Sequence, residues 1–376
     1  MKQAIRTLVA KILRRNPLVI RQGSPECFEG MPLRVSWDVT SHCNFRCSYC
    51  YYAGKEYKKD FCTLEQAETA IRHLASANRP SYQVNLLGGE PTTHPHLAEI
   101  ITLLHQYLGD RLKVLEIISN GSFGEDKMEA VLNAGGGIRL KVNISVHLEY
   151  MNVERIVELV KRYSLRTHLK ISLMFHPKWI DKAMAVADAL CDLRRDYPFG
   201  MSVDMLNSPP DFDRFDSRYT EEHFNIAKKI RERFGKANSE GPKMAENRQE
   251  VLGWKFLVER NVNGSIEIHE QISPSKLNEM MGNAFTDMVC CAGTSVAWIR
   301  VDGSVKGMIC GLDRPVCNIF EENPFLREDW MHGVVCSKAM CGCNVNYRIP
   351  KFRSPADAQK FIEKKKIEQK KLMSNH

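Results

Sequence analysis

The chain has 376 residues, 43% of them hydrophobic, and a formal net charge of +8. This length accommodates one large domain and a smaller one, and the apolar share supports a buried core. No uninterrupted apolar run is long enough to span a bilayer. The thirteen cysteines are odd in number, clustered, and preceded by no secretory signal, which excludes a regular disulfide framework and predicts reduced, metal-bound thiols in a cytoplasmic protein.

Residues 1–30 open the chain. Ile5, Leu8, Val9, Ile12 and Leu13 recur at helical spacing, with Lys2, Arg6, Lys11, Arg14 and Arg15 between or beyond them. The charges interrupt any signal-peptide core. The pattern predicts an amphipathic helix packed on the main domain; the sharper alternative is contact with a membrane surface or a partner.

From 31 to 235 strand-like runs at 33–38, 82–87, 113–119, 140–147, 169–175 and 200–206 alternate with helical patterns, among them 63–77, 96–108, 153–164, 182–194 and 220–234. Such alternation predicts right-handed parallel βαβ units. Six of them give an α/β fold, a partial (β/α)6 TIM-like barrel, whose chemistry belongs at the carboxyl ends of the strands.

The first strand leads into Cys43-Asn-Phe-Arg-Cys47-Ser-Tyr-Cys50, three thiols within eight residues. Thiolates are soft ligands suited to iron–sulfur clusters and zinc. A structural zinc site takes four closed ligands, usually as two separated pairs, and the fourth is missing locally. A cubane cluster normally takes four cysteines, so three can hold it and leave one iron open. The second strand ends in Gly88-Gly89-Glu90, where paired glycines admit close approach of a backbone or a ligand. The third ends in the turn-formers Ser119-Asn120-Gly121, and the fourth carries Ser145 and His147. Met174 and His176 follow on the fifth, and Asp204 and Met205 on the sixth, at positions that face a barrel mouth.

The C-x3-C-x2-C spacing, followed one strand later by Gly-Gly-Glu, resembles the radical S-adenosylmethionine (radical SAM) superfamily. The resemblance implies a 4Fe–4S cluster on Cys43, Cys47 and Cys50, with S-adenosylmethionine chelated at the open iron. It further implies that Tyr49 packs on the adenine and that Gly88, Gly89 and Glu90 serve the methionyl amino group. Ser119, Asn120, Ser145 and His147 reach the ribose or carboxylate; for His147 a core or substrate-binding role is an equal alternative. It also implies a strongly reducing, oxygen-sensitive enzyme served by a flavodoxin- or ferredoxin-type electron donor.

Residues 236–280 read as a polar linker with connecting strands near 254–258 and 265–269. Residues 281–350 hold most of the remaining cysteines. Cys290 and Cys291 precede a strand-like run at 297–301, an Asp302-Gly303 hairpin turn, and Cys310; Cys336, Cys341 and Cys343 come later. This resembles a shortened SPASM/twitch extension with an auxiliary 4Fe–4S cluster, for which Cys291, Cys310, Cys341 and Cys343 are the first choices and Cys336 a close competitor; zinc is the alternative. Residues 351–376 form a basic helix or tail, without the interleaved aromatics that nucleic acid requires. Relatives with such extensions imply a peptide or sugar-like substrate. An iron–sulfur electron carrier or redox sensor explains the cysteines but not Gly88-Gly89-Glu90, and an RNA-modifying radical enzyme is a further alternative.

Overall fold

A computed structural model describes residues 32–50, 60–136, 140–208, 214–243, 285–338, 341 and 349–374, with the backbone of strands 18–22, 256–262 and 265–269. Strand β1 spans Leu18–Gln22 and β2 Leu33–Thr40. Helix α1 (Leu64–Ser76) begins at a capping box in which the Thr63 hydroxyl accepts from the Gln66 N–H and the Gln66 side chain accepts from the Thr63 N–H. There follow β3 (Tyr82–Gly88), α2 (Leu97–Leu108), β4 (Leu112–Ser119), α3 (Glu125–Ala134), β5 (Leu140–His147), α4 (Val153–Tyr163), β6 (His168–Phe175), α5 (Ile180–Leu193), β7 (Gly200–Met205) and α6 (Glu221–Glu240). Strands β2 to β7 pair in sequence order and all in parallel, as a six-unit partial barrel requires.

The two faces of this sheet differ in chemistry. Val35, Trp37, Val84, Leu86, Val142, Ile144, Ile171 and Leu173 point at the helices and are buried in one continuous core. The residues between them face inward and are largely polar: Ser36, Asp38, Gln83, Asn85, Glu116, Lys141, Asn143, Ser145, Lys170, Ser172, Ser202 and Asp204. They are linked sideways, Ser172 Oγ to Asn143 Oδ1 at 2.9 Å and to Ser202 Oγ at 3.0 Å, and Lys141 to Glu116 at 3.1 Å. A closed TIM barrel fills its interior with branched apolar side chains; this one is lined for a hydrophilic guest.

The later segments depart from the simple division expected of them. Strands β8 (Phe256–Val262) and β9 (Ser265–His269) form a hairpin, and β1 joins its outer edge, so the helix expected over 1–30 gives way to a strand by Leu18. Pro17 and the apolar Leu18-Val19-Ile20 with its β-branched pair explain the change; the apolar stripe at 5–13 lies outside the described residues. Helix α6 runs on to Glu240, into the expected linker. Strand β10 is Val289–Ala292, β11 Val296–Ile299, β12 Ser304–Lys306, β13 Cys317–Asn318, β14 His332–Val335 and β15 Lys351–Phe352. Strand β11 pairs in parallel with β2, and β12 and β13 extend the sheet to nine strands. The cysteine-rich region is therefore built onto the open edge of the barrel. There the Asp38 carboxylate accepts from the Trp298 indole at 3.2 Å and pairs with Arg300 at 3.2 Å. A separate sheet, β14-β10-β15, is backed by α7 (Pro355–Ser374), the basic helix expected at the end.

Candidate active site

The loop after β2 is held first by backbone. The Gly89 N–H donates to the Thr40 carbonyl at 2.8 Å, and the Glu90 N–H to the His42 carbonyl at 2.7 Å. A Cβ on Gly88 would collide with the Thr40 carbonyl and one on Gly89 with that of His42, and Gly88 has φ +140°. The paired glycines are thus needed for two chain segments to touch at the root of the cysteine loop.

Glu90 completes the clamp. It is buried, and its two oxygens accept from Thr92 N (3.0 Å), Thr92 Oγ1 (2.6 Å), Ser119 Oγ (2.8 Å) and Asn120 N (2.6 Å). Burial raises its pKa most, and the donors of Asn120, Thr92 and Ser119 pull the other way. Asn120 in turn donates to Asn44 Oδ1 at 2.9 Å and sits 3.9 Å from Cys43 Sγ, while Asn44 donates to Ser122 Oγ at 2.7 Å. In this structure Glu90, Ser119 and Asn120 hold the loop, with Asn120 facing the thiols.

Cys43 and Cys47 are buried and Cys50 partly so. Burial pushes the Cys43 thiol up and the Cys47 thiol up to about 12, the charge of Cys50 being the next influence on Cys47. The three sulfurs therefore lie within one another's fields in a dry site, where binding to a soft metal group is what stabilises the thiolates. Among the described residues no three ligating side chains converge on a site sized for one metal ion. Three neighbouring soft donors, with the Arg46 guanidinium folded back on the Cys43 and Phe45 carbonyls, fit an iron–sulfur cluster.

Tyr49 is buried beside them. Its hydroxyl lies 2.7 Å from His147 Nδ1, and the two rings stack at 5.8 Å. Burial raises the Tyr49 pKa and lowers that of His147 to about 4. The phenol therefore stays protonated, and its hydroxyl has both His147 Nδ1 and Cys47 as hydrogen-bond partners. Ser145 lies on the inner face beside Ser172. Of the other candidates, Met174 and Asp204 are paired neighbours on that face, Met205 packs on the outer core, and His176 is buried beneath the loop.

Three contacts escaped the sequence reading. The Arg46 N–H donates to the Tyr150 hydroxyl at 3.0 Å, Phe45 stacks on Tyr150 at 4.4 Å, and Glu149 accepts from Ser48. All come from the turn just beyond β5, and the position of Glu149 after a strand's carboxyl end was the available signal.

The late cysteines are sorted by strand parity. Neighbours on a strand face opposite ways, so Cys291 enters the main core while Cys290 packs with Met308, Ile349 and Cys310. The thiols of Cys336 and Cys310 both raise that of Cys290, after burial itself. Cys310 and Cys336 lie within the electrostatic reach of Cys290, and Cys290 within that of Cys291. Cys341 follows Cys336 by five residues, and Cys343 lies outside the described residues.

Residues 37–184 match the Radical SAM superfamily. The chain is 33% identical over 134 residues to the GTP 3',8-cyclase of Aquifex aeolicus (strain VF5), covering 35% of this chain and 38% of that protein. With the GTP 3',8-cyclase of Corynebacterium glutamicum (strain R) it shares 36% over 135 residues, 35% of this chain and 34% of that one. It spans little more than a third of the length of these curated relatives. Among solved structures it is similar to Streptococcus suis SuiB (TM-score 0.52, 16% identity, 81% of this chain and 66% of that one). The same holds for SuiB bound to the precursor peptide SuiA (0.52, 15%, 81% and 65%) and for anSMEcpe with bound AdoMet (0.51, 15%, 78% and 79%).

Proposed function

We propose that this chain, a radical SAM enzyme, cleaves S-adenosylmethionine reductively at Cys43, Cys47 and Cys50 and directs hydrogen abstraction at a peptide or sugar-like substrate, as a net oxidation, cross-link or epimerisation. The observation that carries the reading is the clamp of Gly88, Gly89 and Glu90 on the three-thiol loop, at the carboxyl ends of parallel strands. The chemistry a bound 4Fe–4S group supplies is one-electron reduction of the sulfonium, which breaks its carbon–sulfur bond to methionine and a 5′-deoxyadenosyl radical.

The chain's own residues do the rest. Cys43, Cys47 and Cys50 hold the cluster. Tyr49 offers its ring to the adenine, and His147 fixes that ring through Nδ1. The backbone at Gly88 and Gly89, with Ser119, Asn120 and Ser145 nearby, lines the cofactor's polar end. The polar inner face, with Lys170, Ser172 and Asp204, receives a hydrophilic substrate group and excludes bulk water. Peptide is favoured by the likeness to SuiB with its bound precursor peptide, and a sugar-like molecule by the hydrophilic lumen. Cys290, Cys310 and Cys336, with Cys291, Cys341 and Cys343 as the remaining candidates, would hold an auxiliary cluster, which would supply one-electron chemistry beside the substrate.

None of the described helices is long and apolar enough to cross a membrane. A cytoplasmic setting with a flavodoxin- or ferredoxin-type donor completes the reading.

The test is anaerobic: protein reconstituted with iron and sulfide, supplied with strong reductant and S-adenosylmethionine, is assayed for 5′-deoxyadenosine. The wild type yields it, and the Cys43→Ala/Cys47→Ala/Cys50→Ala variant does not. A fully iron-loaded wild type with no product, with or without peptide, sugar or GTP added, would overturn the reading.

A further inference from the structure

The cysteine loop is clamped on one side by Gly88-Gly89-Glu90. Its other side, between Cys47 and Cys50, is held by a group that no motif announces. The Ser48 N–H donates to Glu149 Oε2 at 3.0 Å, and the Ser48 hydroxyl donates to Glu149 Oε1 at 2.5 Å. One carboxylate thus grips one residue through both oxygens, across 101 positions of sequence.

The same turn supplies His147 to Tyr49 and Tyr150 to Phe45 and Arg46, so the loop is bolted to the end of β5 at three consecutive points. Rings in contact and paired hydrogen bonds already fix position, and a neutral amide or hydroxyl at 149 would suffice for that. A carboxylate adds charge. His176 Nε2 stands 3.6 Å from Glu149 Oε1. His176 Nδ1, however, accepts the Lys178 N–H at 3.1 Å, and burial lowers the His176 pKa, so the imidazole is neutral near pH 7. Arg218 is held by Asp216 through two hydrogen bonds, and Arg46 turns to the Cys43 side of the loop. Among the described residues Arg218 is a cation within the field of Glu149, but its guanidinium is taken up by Asp216, and the negative charge of Glu149 still reaches Cys47.

We propose that Glu149 is a positioning residue for the iron–sulfur loop: its carboxylate fixes the Cys47–Cys50 segment through Ser48 and lowers the reduction potential of the cluster held there. The inference rests on the radical SAM reading. The potential of such clusters follows local charge, hydrogen bonding and solvent exposure, and a negative charge beside the cluster favours the oxidised state. Cleavage of a sulfonium needs a strongly reducing cluster, so the charge works in the direction the reaction requires.

The experiment is an anaerobic redox titration followed by electron paramagnetic resonance, with iron counted in the same samples. The signal followed is the one that changes when S-adenosylmethionine is added and is missing from Cys43→Ala/Cys47→Ala/Cys50→Ala. In E149Q, loaded with iron as the wild type is, the reduced-to-oxidised ratio at fixed ambient potential rises tenfold, about 59 mV for a one-electron couple. E149D, which keeps the charge, titrates with the wild type. A loaded E149Q at the wild-type potential overturns the inference and leaves the radical SAM reading intact; a wild type with no such signal overturns both. Should E149Q fail to take up iron, E149D decides. Loaded and at the wild-type potential, it supports the proposal; unloaded or shifted, it overturns it.

Discussion

The two cysteine groups of this chain are built in opposite ways. Cys43, Cys47 and Cys50 belong to one loop, and the rest of the fold converges on that loop: Gly89 and Glu90 by backbone, Asn120 by its amide, and Tyr150 by its ring. Cys290, Cys310 and Cys336 come from a strand, a bend and the end of another strand, and they come within electrostatic reach of one another through the pairing of β10 with β14 and of β12 with β11. A local group announces itself by spacing. A dispersed group is defined by parity and pairing, which sequence distance does not record.

The largest effect that would break this contrast is at the glycine clamp. Gly89→Ala drives a methyl into the His42 carbonyl. It should cost about 1–3 kcal/mol of stability and strip the first cluster, so that iron content and 5′-deoxyadenosine fall together. Full iron and product in that variant would show that the loop does not depend on the close approach.

Next is the second group. Cys290→Ala should lose the auxiliary cluster's iron while reductive cleavage of S-adenosylmethionine continues. Cys291→Ala should keep its iron and lose only about 1 kcal/mol from a small core cavity. The reverse pattern would place Cys291, and not Cys290, among the ligands.

The smallest effect is on pH dependence. Burial holds both His94 and His147 down to about 4. Above pH 6.5 each is neutral folded and unfolded, so neither alters stability. Below it the unfolded chain takes up protons that the folded chain refuses, and stability falls by roughly 1.4 kcal/mol per pH unit for each until the folded values are reached. Urea midpoints at pH 7 and pH 5 should show this fall, and His94→Gln should flatten it. An unchanged slope in that variant would remove His94 from the account.

Much of the barrel was legible in advance, because each of β2 to β7 is a short apolar run followed by a helical repeat, and apart from the far end of α6 the boundaries moved by a residue or two. The thiol loop and Gly88-Gly89-Glu90 were legible for the same local reason. The role of Glu90 was half visible: the resemblance implied a place at the methionyl amino group, and here its oxygens are filled by Thr92, Ser119 and Asn120. Glu149 and Tyr150 were marked only by their place after a strand's carboxyl end, since their partners lie about a hundred residues away and neither position carries a spacing rule. The parallel pairing of β11 with β2 was equally hidden, because a strand added across more than 250 residues leaves no periodic trace. Cys290 and Cys291, adjacent and chemically identical, were separable only once the pairing of Cys290 with Val334 and of Cys291 with Gly333 was fixed.

The most direct measurement is electron paramagnetic resonance of the reduced, reconstituted chain with and without S-adenosylmethionine, in the wild type, in Cys43→Ala/Cys47→Ala/Cys50→Ala and in Cys290→Ala/Cys310→Ala/Cys336→Ala. The account predicts a signal that S-adenosylmethionine perturbs in the wild type and in the second variant, absent from the first. A perturbed signal that survives loss of Cys43, Cys47 and Cys50 would contradict it.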